Sequence, residues 1–182
     1  MAIKKFWNSD KVTSLSAMLI SLTTLIVFVY QTNLMRQQQY LSVMPYLSIG
    51  NEGSGSGDYR LVMYNDGLGP AFIESTTITY NGEKYDMDIP TFLSEFVESM
   101  DTINFTYSNI YPGKIIKAGE KINIIEFNND VKGANAFFQV MAGDEIEADF
   151  ELIYQSIYKE RWKLDGETIK PQKLPRKRGS GF

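Results

Sequence analysis

The sequence predicts a mainly β protein led by one long apolar helix. The expected body is an antiparallel β-sandwich (or barrel) of about eight strands with one or two short helices. Three observations predict this. Val12 to Tyr30 holds 19 residues without a charge. Gln31 to Met44 contains no Gly or Pro and is rich in Gln, Leu and Met, so the helix runs on until Pro45. Beyond Pro45, apolar and polar residues alternate in short runs parted by turn residues, which is the strand period.

Residues 1–11 form a basic flank, with Lys4, Lys5 and Lys11 against Asp10. As a helix, residues 12–30 rise about 1.5 Å each and match the ~30 Å hydrocarbon thickness. Trp7 before the run and Tyr30 at its end suit the two membrane interfaces. A cleaved signal peptide and a buried core helix are the rival readings. The run is long for a signal, and no small-x-small cleavage site follows it. Three lysines precede the span and only Arg36 follows soon after, so the positive-inside rule places the N-terminus in the cytoplasm and the body outside. The alternative topology keeps the body in the cytoplasm.

Residues 31–44 continue as a juxtamembrane helix. Ile20, Thr23, Val27, Tyr30, Leu34, Gln37, Leu41 and Met44 recur at alternating steps of three and four, a heptad seam that points to a homo-oligomer. Gln37 is its strongly polar member outside the apolar run, a device that restricts register and chain number. Ala17 and Ser21 make a small-xxx-small pair, and Ser14, Ser16, Thr23 and Thr24 can hydrogen-bond between helices. The alternative is that the stripe packs on the chain's own body.

Residues 45–169 form the β body. Its runs are PYLSIGN, YRLVMYN, AFIESTTITY and EKYDMDI, then two strands around Ala118-Gly119, then AFFQVMAG, EIEADFELIY and KERWKL. Asn81-Gly82 marks a type I′ hairpin, because both central positions need positive φ. Thr91 to Met100 reads as a short amphipathic helix with Phe92, Phe96 and Val97 on one face. For the last hairpin, a turn centred near Ser156 sets Glu151 opposite Arg161, Asp149 opposite Lys163 and Phe150 opposite Trp162. Lys159 joins Arg161 and Lys163 on one face. The acidic ladder Glu145, Glu147, Asp149 and Glu151 then reads as a solvated, paired face rather than a calcium site. Residues 170–182 form a basic, Pro-broken, mobile tail.

The stretch Asn65-Asp66-Gly67-Leu68-Gly69-Pro70-Ala71, Gly119-Glu120 before a strand, and YQSIYKERWKL resemble those of uncharacterised bacterial single-pass membrane proteins. These carry an N-terminal anchor helix and an immunoglobulin-like β-sandwich. The resemblance implies architecture and a cell-membrane location, and carries over no catalytic residue.

Composition narrows the chemistry. Cysteine and histidine are both absent, which excludes disulfides, Cys/His metal sites and His-dependent triads. No phosphate loop, dinucleotide fingerprint or metalloprotease motif is present. No cofactor, metal or catalytic residue is expected. Residues 46–169 hold 21 Asp/Glu against 9 Lys/Arg, a net −12 that makes nucleic acid a poor partner for the body. Asp86 and Asp88 read as a solvated strand edge, Asn128-Asn129-Asp130 as a turn. Tyr107, Tyr111, Tyr154 and Tyr158 read as core and rim, with a binding surface as the other reading. The expected function is a membrane-tethered, non-enzymatic binding module whose partners are membrane lipid, its own copies and a protein at the body. The alternative is a membrane effector or sensor with a cytoplasmic ligand-binding body, for example for a nucleotide signal.

Overall fold

The computed structural model describes residues 9–97, 103, 105–142, 148–166, 168 and 170–175. The chain divides into two units, Met1–Leu41 and Ser42–Phe182.

The first unit is the helix α1, which runs Ser9–Ser42. At 1.5 Å per residue its 34 residues extend about 50 Å. It is long and apolar enough to cross a membrane, and none of its residues is buried. The helix stops three residues short of Pro45. Helical geometry is disfavoured for the residue before a proline. The Met44 carbonyl instead accepts from the Leu68 N–H at 3.0 Å.

The second unit is built from two antiparallel sheets. Its strands are β1 (Leu47–Glu52), β2 (Arg60–Asn65), β3 (Ala71–Tyr80), β4 (Glu83–Tyr85), β5 (Phe105–Tyr107), β6 (Ile115–Ile116), β7 (Lys121–Phe127), β8 (Ala148–Gln155), β9 (Arg161–Asp165) and β10 (Gln172–Leu174). Two short helices are α2 (Ile89–Phe96) and α3 (Val131–Ala142). One sheet has the order β1-β2-β7-β5, the other β10-β9-β8-β3-β4, with β6 also pairing β3. Leu47, Met63, Ile125 and Phe127 from the first sheet share one core with Ile73, Ile78, Leu152, Tyr154 and Trp162 from the second.

The hairpin at Asn81-Gly82 forms as the sequence requires, with φ 51° and 81°, and sets Ile78 against Tyr85. α2 starts two residues before the expected Thr91, because Asp88 caps it by accepting from the Thr91 N–H at 3.1 Å. It ends at Phe96, and residues 98–100 lie outside the described set.

Several expectations are corrected. AFFQVMAG is not a strand but part of α3. Ala134, Phe137 and Val140 recur at a helical step and are buried on one face. Asp130 starts that helix by accepting from the Gly133 N–H at 2.9 Å. The two strands expected around Ala118-Gly119 do form, as β6 and β7, but in different sheets: β6 pairs β3 whereas β7 pairs β2 and β5. The chain changes sheet there, with Gly119 at φ 72°.

The β8–β9 register also differs. Tyr154 faces Trp162, Ile153 faces Lys163 and Glu151 faces Asp165, so Phe150 does not face Trp162. The turn is centred near Tyr158, two residues beyond Ser156: the Ser156 N–H donates to Glu160 O at 2.8 Å, and Lys159 sits in the turn at φ 59° rather than on the strand. Arg161 therefore bonds Glu74, at 2.6 Å, and Lys163 bonds Asp165, at 2.7 Å. Glu151 lies 3.9 Å from Lys163. Glu74 is free to turn that way because it is the extra residue of a bulge, between Ile73↔Tyr154 and Ser75↔Ile153. In the basic tail, Gln172–Leu174 is a strand paired to β9. Residues 176–182 lie outside the described set, as do Lys4, Lys5, Trp7, Glu145 and Glu147.

Candidate functional site

Two places are built by the sequence to do more than fill a core: the stripe on α1 and the loop cluster where the body begins.

On α1, Ile20, Thr23, Val27, Tyr30, Leu34, Gln37 and Leu41 follow one another along the helix at steps of three and four. Met44, the last residue of the expected seam, is not on the helix. It lies past Val43 and packs half-buried against the core of the body. The Ser21 hydroxyl donates to Ala17 O at 2.9 Å, Thr23 to Leu19 O at 2.9 Å and Thr24 to Ile20 O at 2.8 Å. Satisfied within their own helix, these hydroxyls can enter hydrocarbon without an unpaired donor.

Where the body begins, Asn65 is the organising side chain. It is buried, and its carbonyl oxygen accepts from the Tyr46 and Gly67 N–H groups, each at 3.1 Å. Its amide donates to Gly69 O at 2.9 Å and to Ile116 O at 3.0 Å. One side chain thereby ties the incoming chain at Tyr46, its own turn and β6. The two glycines of the turn are required by contact. A Cβ on Gly67 would lie 2.3 Å from Tyr46 N, and one on Gly69 would lie 1.9 Å from Val43 O. The motif read from sequence only as a turn is a clamp on Val43–Tyr46.

Two concavities lie elsewhere on the body. A cavity of about 370 Å³ opens beside α3, lined by Ile49, Leu61, Ile89, Phe137, Phe138, Met141 and Phe150. At it, the Tyr59 hydroxyl donates to Asn51 Oδ1 at 2.8 Å, and burial pushes the phenol up to about 12. A wider polar concavity of about 760 Å³ lies over β5 and β7. In it Arg60 pairs with Glu126 at 2.6 Å and, beside them, Lys121 with Glu52 at 2.7 Å. The Lys121 bond, then the Tyr64 hydroxyl, hold the Glu52 carboxyl below its ordinary range. Arg60 and Asn123 do the same for Glu126. Groups held ionised this way are poor proton carriers.

The remaining sequence candidates fall into structural roles. Asp88 is not on a strand with Asp86: it is buried and accepts from the Ile110 N–H at 2.7 Å as well as from Thr91. Asp149 accepts from the Gly166 N–H at 3.3 Å. Asn129 takes positive φ in the expected turn. Tyr154 is buried, its hydroxyl accepting from the Leu47 N–H at 3.2 Å and its titration pushed up by burial. Tyr107, Tyr111 and Tyr158 are exposed. Among the described residues, no group of three or more carboxylates is placed to hold a metal ion. Comparison with known proteins gives no matching family model, no matching curated protein and no matching solved structure.

Proposed function

We propose that this chain is a membrane-tethered, non-enzymatic binding and assembly module. In this reading α1 anchors it and gathers copies, and the two-sheet body, folded as an immunoglobulin-like sandwich, presents a recognition surface outside the cytoplasm of a bacterial cell. The observation that carries the reading is α1 itself: 34 residues, apolar through Val12–Tyr30, with none buried. A helix with that surface needs hydrocarbon or other helices around it. The absence of Cys and His, with the Arg60–Glu126 and Lys121–Glu52 pairs, supports binding rather than catalysis. Alkaline carbonate extraction tests the anchor: the full-length chain stays in the membrane fraction, and its release would overturn the reading. A reporter fused at the C-terminus tests topology and is active only outside.

The cavity beside α3 favours one second reading, a cytoplasmic body that binds a small ligand and acts on the membrane through α1. Its apolar lining suits an apolar ligand better than a phosphate-bearing nucleotide. A reporter active only inside would favour this reading.

A further inference from the structure

We infer that the end of the body where the chain comes in at Met44 is a contact surface between copies of this chain. The inference rests on the proposed clustering through α1 and names where the bodies meet.

Topology gathers four segments at that end. The Asp66–Pro70 turn is bonded to Met44 and Tyr46. The loop before β7 is bonded to Asn65, through Gly119 N–H to Asn65 O at 2.9 Å. β6 pairs with Ala71 and Phe72 at the start of β3. The β8–β9 turn follows Gln155, which also pairs with Phe72.

These segments expose the apolar surface that the body leaves uncovered. Leu68 is 74% exposed, Tyr111 58%, Ile157 56%, Ile115 50% and Tyr158 38%. They are five of the eight large exposed apolar or aromatic side chains described in the body. Isolated exposed apolar residues need no explanation, but a gathering at one end marks an interaction surface.

Charge selects the occupant. Residues 66–70, 109–120 and 156–160 contain Lys114, Lys117 and Lys159 against Asp66, Glu120 and Glu160, for no net charge. The whole net −12 of residues 46–169 therefore lies elsewhere on the body. Two copies repel on most approaches, and this neutral, apolar end with charges of both signs is where they can meet. It is also the end that the covalent link to α1 holds close in a clustered set. Tethering raises the effective concentration there, so a patch too small to dimerise free bodies is sufficient. A symmetric pair uses the same patch on both copies, and mixed charges at one end allow self-complementarity.

The absence of cysteine makes the test clean. Leu68→Cys, Ile115→Cys, Lys84→Cys and Leu41→Cys are introduced one at a time into the full-length chain in membranes, and also Leu68→Cys mixed with Ile115→Cys. Mild oxidation is followed on non-reducing gels. Lys84 lies on β4 at the opposite end of β3 and serves as the control. Leu41, on α1, reports clustering of the helices. The expected result is disulfide-linked dimer at Leu41 and at position 68 or 115, forming at least about tenfold faster than at position 84. Dimer at Leu41 with none above control at 68, at 115 or in the mixture overturns the inference and leaves clustering standing. No dimer anywhere overturns both. A fluorophore on Leu68→Cys is read with a quencher carried on lipid; quenching would make the bilayer the occupant and would also overturn the inference.

Discussion

Asn65→Leu tests the clamp. The substitution keeps the volume close and removes four hydrogen bonds, to Tyr46, Gly67, Gly69 and Ile116. A typical buried hydrogen bond contributes about 0.5–1.5 kcal/mol net, so the loss is about 2–6 kcal/mol. The upper half applies if the four backbone groups stay dry, the lower half if water enters. For a body of this size each kcal/mol moves the melting midpoint by about 2–4 °C. Urea unfolding of residues 42–182, followed by tryptophan fluorescence, reads the change. The pairing Asn51→Ala is the control, since Asn51 is exposed and makes one such bond, to Tyr59; it should cost about 1 kcal/mol or less. Equal effects of the two changes would refute the view that Asn65 organises this end.

Gly69→Ala should be worse tolerated than Gly82→Ala, because its Cβ meets Val43 O at 1.9 Å while Gly82 faces open space and suffers only from its φ of 81°; comparing soluble yield and melting midpoints checks this. Trp162→Ala should cost about 3–5 kcal/mol, since the ring is buried and stacks on Tyr154 at 5.7 Å. Lys173→Ala removes an exposed ammonium from the half-buried Glu160 and should cost about 1 kcal/mol by the same unfolding assay, less than Trp162→Ala. The hydrogen bond from Lys163, then those from Thr168, hold the Asp165 carboxyl below its ordinary value. With the folded value depressed, Asp165 stabilises the body above about pH 4 and loses that contribution as pH falls through the folded value. Lys163→Ala should flatten the fall in unfolding free energy below about pH 4, and an unchanged slope would count against the pair.

What could be read from the sequence follows from how local each signal is. The charge-free run, the Asn81-Gly82 turn and the alternation in β3 are local signals, and all three appear in the structure, whereas in β2 Val62 is buried along with Leu61 and Met63. The β8–β9 register was not contained there. Alternation puts Ala148, Leu152 and Tyr154 on the buried face in any even register, so the faces agree while the partners differ by four residues. Only the turn closed by Ser156 and Glu160 decides which partner is chosen. α3 was misread because Phe137 and Phe138 are adjacent, and a short apolar run fits either period. The deciding signal was the Asp130 cap together with Ala134, three residues before Phe137.

The Asn65 clamp was invisible for a different reason. Asn-Asp-Gly-Leu-Gly-Pro is a fair turn sequence on conformational grounds alone, and nothing local says what passes over its glycines. Yet the need at Gly67 and Gly69 is not for positive φ. Neither appears among the positive-φ positions, whereas both stand against backbone of Val43–Tyr46. Glycine here makes room for another segment to come close. That distinction bears on function. A turn can be exchanged for another turn, but a turn whose missing side chains admit the incoming chain fixes that chain's path into both sheets. It also holds Leu68 outward at its tip, beside Met44. The same residues thus set where the chain joins the body and what the body shows at that place, which is why a contact between tethered copies is expected there rather than at the far end of β3.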